Sequence, residues 1–148
     1  TLHTTSKGSP MVRLGRPGWL VAFVLLTGRA VAQEPAPALR VELGENTPNP
    51  FFPATSVPFI IHAEVCARGH EPLVSLKIYN VLAQVIAIPS LQGAPAEVLD
   101  QTRLKCGAYT AVWDGKLLDG KNEVTPGIYY YQLVVDGQRY TRKMIVRR

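Results

Sequence analysis

The sequence lacks any apolar run long enough to cross a bilayer. Its longest uninterrupted run, Trp19 to Leu26, spans eight residues, whereas a transmembrane helix needs roughly 20. Beyond residue 32, no segment shows the 3.6-residue apolar period of an amphipathic helix. These two absences argue against a transmembrane anchor and against a helical fold.

Acidic residues are absent before position 34, and the first 32 residues carry Lys7, Arg13, Arg16 and Arg29. The formal net charge of +5 therefore belongs mostly to this leader. From position 33 onward, 12 Lys and Arg residues stand against 11 Asp and Glu residues. A domain so close to neutrality gives no support for nucleic-acid binding.

The leader has the three parts of a secretory signal peptide, which we predict over residues 11–32. A basic stretch, Met11–Arg16, precedes the apolar run, and the small residues Ala30 and Ala32 come directly before Gln33. No Cys follows the apolar run directly, so a lipoprotein anchor is not expected. Residues 1–10 precede Met11 and are interpreted as an upstream extension that is not native. Residues 33–45, rich in Pro and Ala, are predicted to form an extended linker, followed by one domain over 46–148.

Cysteine is scarce: the chain has only Cys66 and Cys106. In an exported protein two cysteines are a candidate disulfide, and only one pairing exists. The alternative is a pair of buried free thiols.

Residues suited to catalysis are scarce as well. His62 and His70 are the two histidines after the leader, and neither lies in a recognisable nucleophile or metal motif. We therefore predict no enzyme activity, no cofactor and no metal site. The oxygen-bearing residues between Asp114 and Glu123 resemble part of a calcium loop, but calcium needs six to eight regularly spaced oxygens. Asp followed by Gly is better explained as turn chemistry.

Alternating apolar residues, bounded by Gly and Pro, predict short β-strands throughout the domain. The predicted strands are Thr55–Cys66, Val74–Tyr79, Val85–Ile88, Gly107–Asp114, Ile128–Val135 and Gln138–Val146. Asp136-Gly137 predicts a hairpin between the last two, and residues 97–104 are interpreted as a loop or a further short strand. This pattern predicts an all-β fold: an immunoglobulin-like or fibronectin-III-like antiparallel β-sandwich of about seven strands. In such a sandwich the second and fifth strands are neighbours, which would bring Cys66 close to Cys106.

Three features of the predicted strands leave functional alternatives open. The three prolines between Asn46 and Pro53 predict an edge segment that places Phe51 or Phe52 over the open end of the core. Consecutive tyrosines at 129–131 could form a stacking platform, but alternation predicts Tyr129 and Tyr131 in the core. The cations near the C-terminus fit either a protected sheet edge or an exposed recognition tag.

Read in order, several motifs of the domain resemble a known family. They are Asn49-Pro50, Trp113-Asp114-Gly115, Gly127-Ile128-Tyr129 and Lys143-Met144-Ile145-Val146. The combination resembles the immunoglobulin-like domain shared by the flagellar hook-capping scaffold protein and the C-terminal sorting domains of type IX secretion cargo. Ala83 stands where that family usually has Gly in a turn.

The resemblance implies a secreted or cell-surface protein that reaches its destination through the periplasm of a Gram-negative-type bacterium. It also implies a protein partner, the translocon or a surface protein, that recognises the domain. The residues it marks for recognition are Asn49, Pro50, Gly127, Tyr129, Lys143, Met144, Ile145 and Val146, while Trp113, Asp114 and Gly115 form a structural motif. The alternative is a stand-alone extracellular scaffold or adhesion module of the hook-cap type.

Overall fold

The computed structural model of the protein describes residues 40–148, together with Gly8 and Gly15. The chain divides into two units, Thr1–Pro35 and Ala36–Arg148, and the second contains every strand given below. The predicted signal peptide and upstream extension lie, apart from these two glycines, outside the described residues. Within 40–148, no helix combines the length and apolarity that crossing a membrane requires.

Within residues 40–148, ten β-strands form two antiparallel sheets that face each other across one core. The strands are β1 (Val41–Leu43), β2 (Thr55–Ile61), β3 (Leu73–Tyr79), β4 (Val85–Ala87), β5 (Ser90–Leu91), β6 (Ala94–Val98), β7 (Thr102–Arg103), β8 (Gly107–Trp113), β9 (Gly127–Val135) and β10 (Gln138–Val146). The first sheet has the order β1-β2-β8-β5-β6, and the second has the order β10-β9-β3-β4, with β7 paired to the start of β3.

The strand order is that of the immunoglobulin sandwich, in which strands A, B, E and D form one sheet and C, F and G the other. Strands β1, β2, β8 and β5 occupy the first set of positions, and β3, β9 and β10 occupy the second. The predicted all-β sandwich is therefore confirmed. The number of strands is ten rather than seven, because β4, β6 and β7 add short pairings to this framework.

The core consists of the inward-facing residues, which alternate with outward-facing residues along each strand. Along β9, Tyr129, Tyr131, Leu133 and Val135 are buried, whereas Tyr130 is exposed. The alternation of the sequence predicted this division because successive side chains of a strand point to opposite faces. The largest fully buried side chains include Tyr131, Phe51, Phe59, Ile61, Leu76, Ile78, Leu99, Leu133 and Met144.

Two strand boundaries differ from the predictions. Strand β1 lies inside the residues 33–45 predicted as a linker, and both Val41 and Leu43 are buried against the core. The Pro-Ala composition of that stretch masked a three-residue apolar alternation. Strand β2 ends at Ile61 rather than Cys66, because the chain turns into a 3₁₀ segment over Ala63–Gly69.

Residues 89–104 contain more structure than their irregular sequence indicated. Strands β5 and β6 form a small hairpin around Gly93, where no strand was predicted. Strand β7 lies in the doubtful stretch 97–104, and Leu99 and Leu104 on either side of it are buried. Strands of two to five residues are too short for a two-residue alternation to stand out in sequence.

The predicted disulfide Cys66–Cys106 is present, with a Cα–Cα distance of 5.9 Å. Strand β2 pairs with β8 in the antiparallel register Ile61 to Gly107. The 3₁₀ segment after Ile61 carries Cys66 back beside Cys106, the residue before β8. The alternative of two free thiols is thereby excluded.

The β3–β4 hairpin contains a strained turn at Ala83. The backbone N–H of Ala83 donates to the carbonyl of Asn80 at 3.0 Å, and Asn80 pairs with Gln84. Ala83 has φ of +59°, in the left-handed region. A three-residue hairpin loop of this kind normally places Gly there, so this Ala carries a backbone cost.

Candidate functional site

The segment around Asn49 pairs directly with the last strand. The backbone N–H of Ile145 donates to Asn49 Oδ1 at 3.0 Å, and the N–H of Phe51 donates to the carbonyl of Ile145 at 3.0 Å. The N–H of Arg147 then donates to the carbonyl of Phe51 at 3.0 Å. Since β10 is an edge strand, these three bonds cover one end of its otherwise open edge.

Proline explains why this contact is short. Proline has no backbone N–H, so Pro48, Pro50 and Pro53 cannot donate to a neighbouring strand. The contact is made by Phe51, which supplies both a donor and an acceptor, and by the side-chain oxygen of Asn49, which accepts. The segment thus behaves as the edge element that its three prolines predicted.

Phe51 anchors the same segment in the core. Its ring is 1% exposed and lies 5.3 Å, centroid to centroid, from the ring of Trp113, whereas Phe52 is 46% exposed. Of the two phenylalanines, Phe51 is therefore the one that packs over the open end of the core.

A buried polar network that the sequence did not reveal fixes the start of the segment. Asn46 is 2% exposed, and its Nδ2 donates to Thr55 Oγ1 at 3.0 Å. Its backbone N–H donates to the hydroxyl of Tyr131 at 3.1 Å, and this hydroxyl donates to the carbonyl of Gly44 at 2.8 Å. Burial raises the pKa of the Tyr131 hydroxyl above its ordinary value. The only sequence signal was an Asn within a Pro-rich edge, which did not indicate burial.

The Gly127–Tyr129 block lies against the same end of β10. In the β9–β10 register Gly127 is opposite Val146, and Tyr129 is opposite Met144. The Tyr129 hydroxyl donates to the carbonyl of Thr125 at 2.8 Å, a tyrosine corner of the kind seen in immunoglobulin-like sandwiches. All three blocks marked by the resemblance therefore meet at one corner of the sandwich.

Burial divides the eight marked residues into two groups. Tyr129, Met144 and Val146 are buried, at 9%, 0% and 3% exposure, and Gly127 is half-buried. The exposed residues are Asn49, Pro50, Lys143 and Ile145. We name these four residues the terminal corner. Of the eight marked residues, these four are the ones whose side chains are exposed to a partner that meets the folded domain.

An exposed apolar residue beside the terminal corner was not predicted as part of a site. Ile128, on β9, is 47% exposed and lies directly opposite Ile145, which is 37% exposed. Strand alternation placed Ile128 on the outer face, but a single outward Ile gave no functional signal.

The last strand and its tail also concentrate positive charge. Residues 138–148 contain five Arg or Lys residues and no acid. Arg142 is partly engaged, because its Nε donates to the carbonyl of Leu43 at 2.7 Å and its Nη1 lies 3.5 Å from Glu45 Oε1. This contact holds β10 close to β1 and was not foreseen.

The Trp113-Asp114-Gly115 motif builds a turn. Trp113 Nε1 donates to the carbonyl of Lys116 at 2.8 Å, and Asp114 Oδ1 accepts from the Lys116 N–H at 3.0 Å. Gly115 has φ of +77°, and a Cβ there would lie 2.3 Å from the carbonyl oxygen of Pro53. The turn thereby packs against the Pro-rich segment next to the terminal corner.

The oxygen-rich loop after this turn is also built from turn contacts. Asp119 Oδ1 accepts from the N–H groups of Lys121 and Asn122, and these bonds hold the pKa of Asp119 below its ordinary value. Among residues 40–148, no group of three His, Cys, Asp or Glu side chains is arranged to share a metal ion.

The two histidines lie apart from the terminal corner, each beside a carboxylate. His62 Nε2 is 2.7 Å from Glu42 Oε1, and His70 Nε2 is 2.7 Å from Asp136 Oδ2. Burial acts to raise the pKa of Asp136, but the hydrogen bonds with His70 and from the Leu73 N–H, together with the electrostatic effects of His70 and Arg103, outweigh it. The pKa of Asp136 consequently lies below its ordinary value.

Comparisons of the chain with protein-family models, with curated proteins and with solved structures find no match.

Proposed function

We propose that the domain is a sorting and cell-surface display module of the type IX secretion kind, recognised by a protein partner at the terminal corner. One observation carries the proposal. Three blocks far apart in sequence, at 49–50, 127–129 and 143–146, converge on one end of β10.

The exposed side chains of this corner suit recognition by a protein. Ile145 and Ile128 form an outward apolar pair, and Lys143 adds a charge that makes no ion pair within the described residues. A small apolar centre beside polar and charged residues is the usual anatomy of a protein–protein contact. The cationic tail, Arg147 and Arg148, extends this surface.

The packing of the corner makes it a rigid feature. Ile145 is held on one side by β9 and on the other by Asn49 and Phe51. A backbone fixed in this way loses little further freedom when the exposed side chains are bound. The buried members of the marked set, Met144 and Val146, serve recognition by positioning their exposed neighbours.

The test is delivery of the full chain in a host that has a type IX translocon. We expect Lys143→Ala combined with Ile145→Ser to leave the protein in the periplasm, as measured by cell fractionation and surface labelling. Arg139→Ala, an exposed change on the same strand but outside the corner, serves as the matched control and should be delivered normally. Melting curves of all variants establish that each is folded. Normal surface delivery of a folded corner variant would refute the proposal.

A second candidate, an extracellular scaffold or adhesion module, draws on a different surface. A groove of about 630 Å³ lies beside β5, β6 and the loop after Trp113. Two of its apolar side chains, Leu118 and Val98, are 60% and 51% exposed. In that case Leu118→Ser should abolish partner binding, and the corner variant should be delivered normally.

A further inference from the structure

Two neighbouring tyrosines differ from all the others in their hydroxyl contacts. Four of the six tyrosine hydroxyls donate hydrogen bonds within the protein, namely those of Tyr109, Tyr129, Tyr131 and Tyr140. Within the described part of the chain, the hydroxyls of Tyr79 and Tyr130 make none. These two residues are direct cross-strand partners on the outer face of the second sheet. Their polar ends are therefore available to a ligand.

A groove of about 450 Å³ lies at this pair, and we name it the tyrosine groove. It is lined by Tyr79, Tyr130, Gln132, Arg139 and Thr141, together with residues of the β3–β4 turn. Its volume falls within the roughly 300–1,000 Å³ of small-ligand sites. Of the tyrosines, Tyr130 is 38% exposed.

Polar groups flank the two aromatic rings. Gln132 Nε2 donates to Thr141 Oγ1 at 3.0 Å, which orients the amide. Within residues 40–148 the side-chain oxygen of Gln132, Oε1, accepts no hydrogen bond, and the Arg139 guanidinium makes no ion pair. Arg139 lies opposite Val134, and Gln132 lies opposite Thr141 in the next pair on the same sheet face. The groove thus presents two tyrosine rings, the Gln132 side-chain oxygen as an acceptor and the Arg139 guanidinium as a donor of several hydrogen bonds.

The charge of the lining selects for an anion. Arg139 is its one charged residue, and no acid lines it. Lys77, the nearby cation on β3, is instead paired with Asp100 at 3.2 Å. A guanidinium without a partner binds a carboxylate or a phosphate through two parallel hydrogen bonds.

We propose that the tyrosine groove binds an acidic oligosaccharide. A sugar ring has an apolar C–H face, which packs on a tyrosine ring, and a rim of hydroxyls, which suits the Gln132 amide and the free phenols. A carboxylate or phosphate on the sugar would meet Arg139. Single-stranded nucleic acid also stacks on aromatic rings, but its binding rests on many cations along a backbone. The lining of this groove supplies only Arg139, and Lys143 lies next to it, opposite Tyr130.

The proposal does not rest on the terminal corner: no residue of that corner lines the groove, although Lys143 lies opposite Tyr130 in the β9–β10 register. It can be tested with ¹⁵N-labelled protein titrated with trigalacturonic acid, hyaluronan tetrasaccharide, neutral galactotriose and octathymidylate. We expect the two acidic sugars to shift the backbone amides of Tyr79, Tyr130 and Gln132 at millimolar concentration.

Two substitutions separate the contributions of the groove. Tyr130→Ala, at an exposed position, should abolish these shifts. Arg139→Ala should weaken binding of the acidic sugars about tenfold or more, the loss expected when the charge-assisted hydrogen bonds of the guanidinium are removed, and leave galactotriose unaffected. Val134→Ala, on the same face but outside the lining, is the matched control and should bind as wild type does.

The results that would overturn the proposal are distinct. They are an absence of shifts at the groove with both acidic sugars, shifts that persist in Tyr130→Ala, or stronger binding of octathymidylate than of either sugar.

Discussion

Replacing Ala83 with Gly should stabilise this protein, although Ala-to-Gly changes usually destabilise. Ala83 occupies the left-handed region at φ of +59°, where an L-residue with a Cβ costs about 1–2 kcal/mol. The side chain is exposed, so its removal forfeits no burial. The added freedom of Gly in the unfolded chain costs about 0.4–1 kcal/mol.

The difference between these two effects predicts a gain of about 0.5–1 kcal/mol in the free energy of unfolding. For a domain of this size, that corresponds to a rise in Tm of about 2–8 °C. The measurement is a urea-unfolding curve of Ala83→Gly against wild type, with the disulfide intact. The slope of the transition should not change, since the surface exposed on unfolding is the same.

Ala96→Gly is the matched control. Ala96 is exposed in β6 and is not among the residues with positive φ, so Gly there should cost about 0.5–1 kcal/mol. The two substitutions remove the same methyl group, and only the backbone conformation differs. If Ala83→Gly were as destabilising as Ala96→Gly, the strain assigned to this turn would be wrong.

Three further predictions follow from the contacts described above. Reducing the Cys66–Cys106 bond, which closes a loop with a sequence separation of 40, should lower the free energy of unfolding by about 4 kcal/mol through loop entropy; equal urea midpoints with and without reductant would contradict this. Tyr131→Phe should cost about 1–3 kcal/mol, because it leaves the buried Asn46 N–H without its partner, and an unchanged urea midpoint would exclude that cost. Asp136→Asn should remove part of the acid sensitivity of folding. The folded pKa of Asp136 lies below its ordinary value, so its contribution is present above about pH 3.9 and is lost as pH falls through the folded pKa. Urea midpoints from pH 6 to acid should therefore converge for the two proteins, and parallel curves would refute the role of Asp136.

The strands of the second sheet could be predicted from sequence because their signals are local. Asp136-Gly137 marks the β9–β10 hairpin, and the alternation after Gly127 separates buried Tyr131 from exposed Tyr130. The disulfide was also predictable, since the sandwich places β2 beside β8. The short strands β5 to β7 were not, because two to five residues carry too little periodicity.

The sequence indicated only some of the residues that form the candidate site. Its eight marked residues came from a resemblance, which did not separate the exposed Lys143 and Ile145 from the buried Met144 and Val146. Ile128 and Arg142 gave no signal, because each acquires its role from a neighbour on another strand.

Alternation, turn residues and a lone cysteine pair were enough to predict an all-β sandwich, its closing hairpin and its disulfide, because these signals act over short distances or allow one outcome. The folded chain was needed to show that Asn49 bonds to Ile145, 96 positions away, and that Tyr79 lies beside Tyr130. Strand register and sheet order set those neighbours, and both are properties of the whole folded chain. The same dependence placed Ala83 in a left-handed turn, whose φ no residue identity could have revealed.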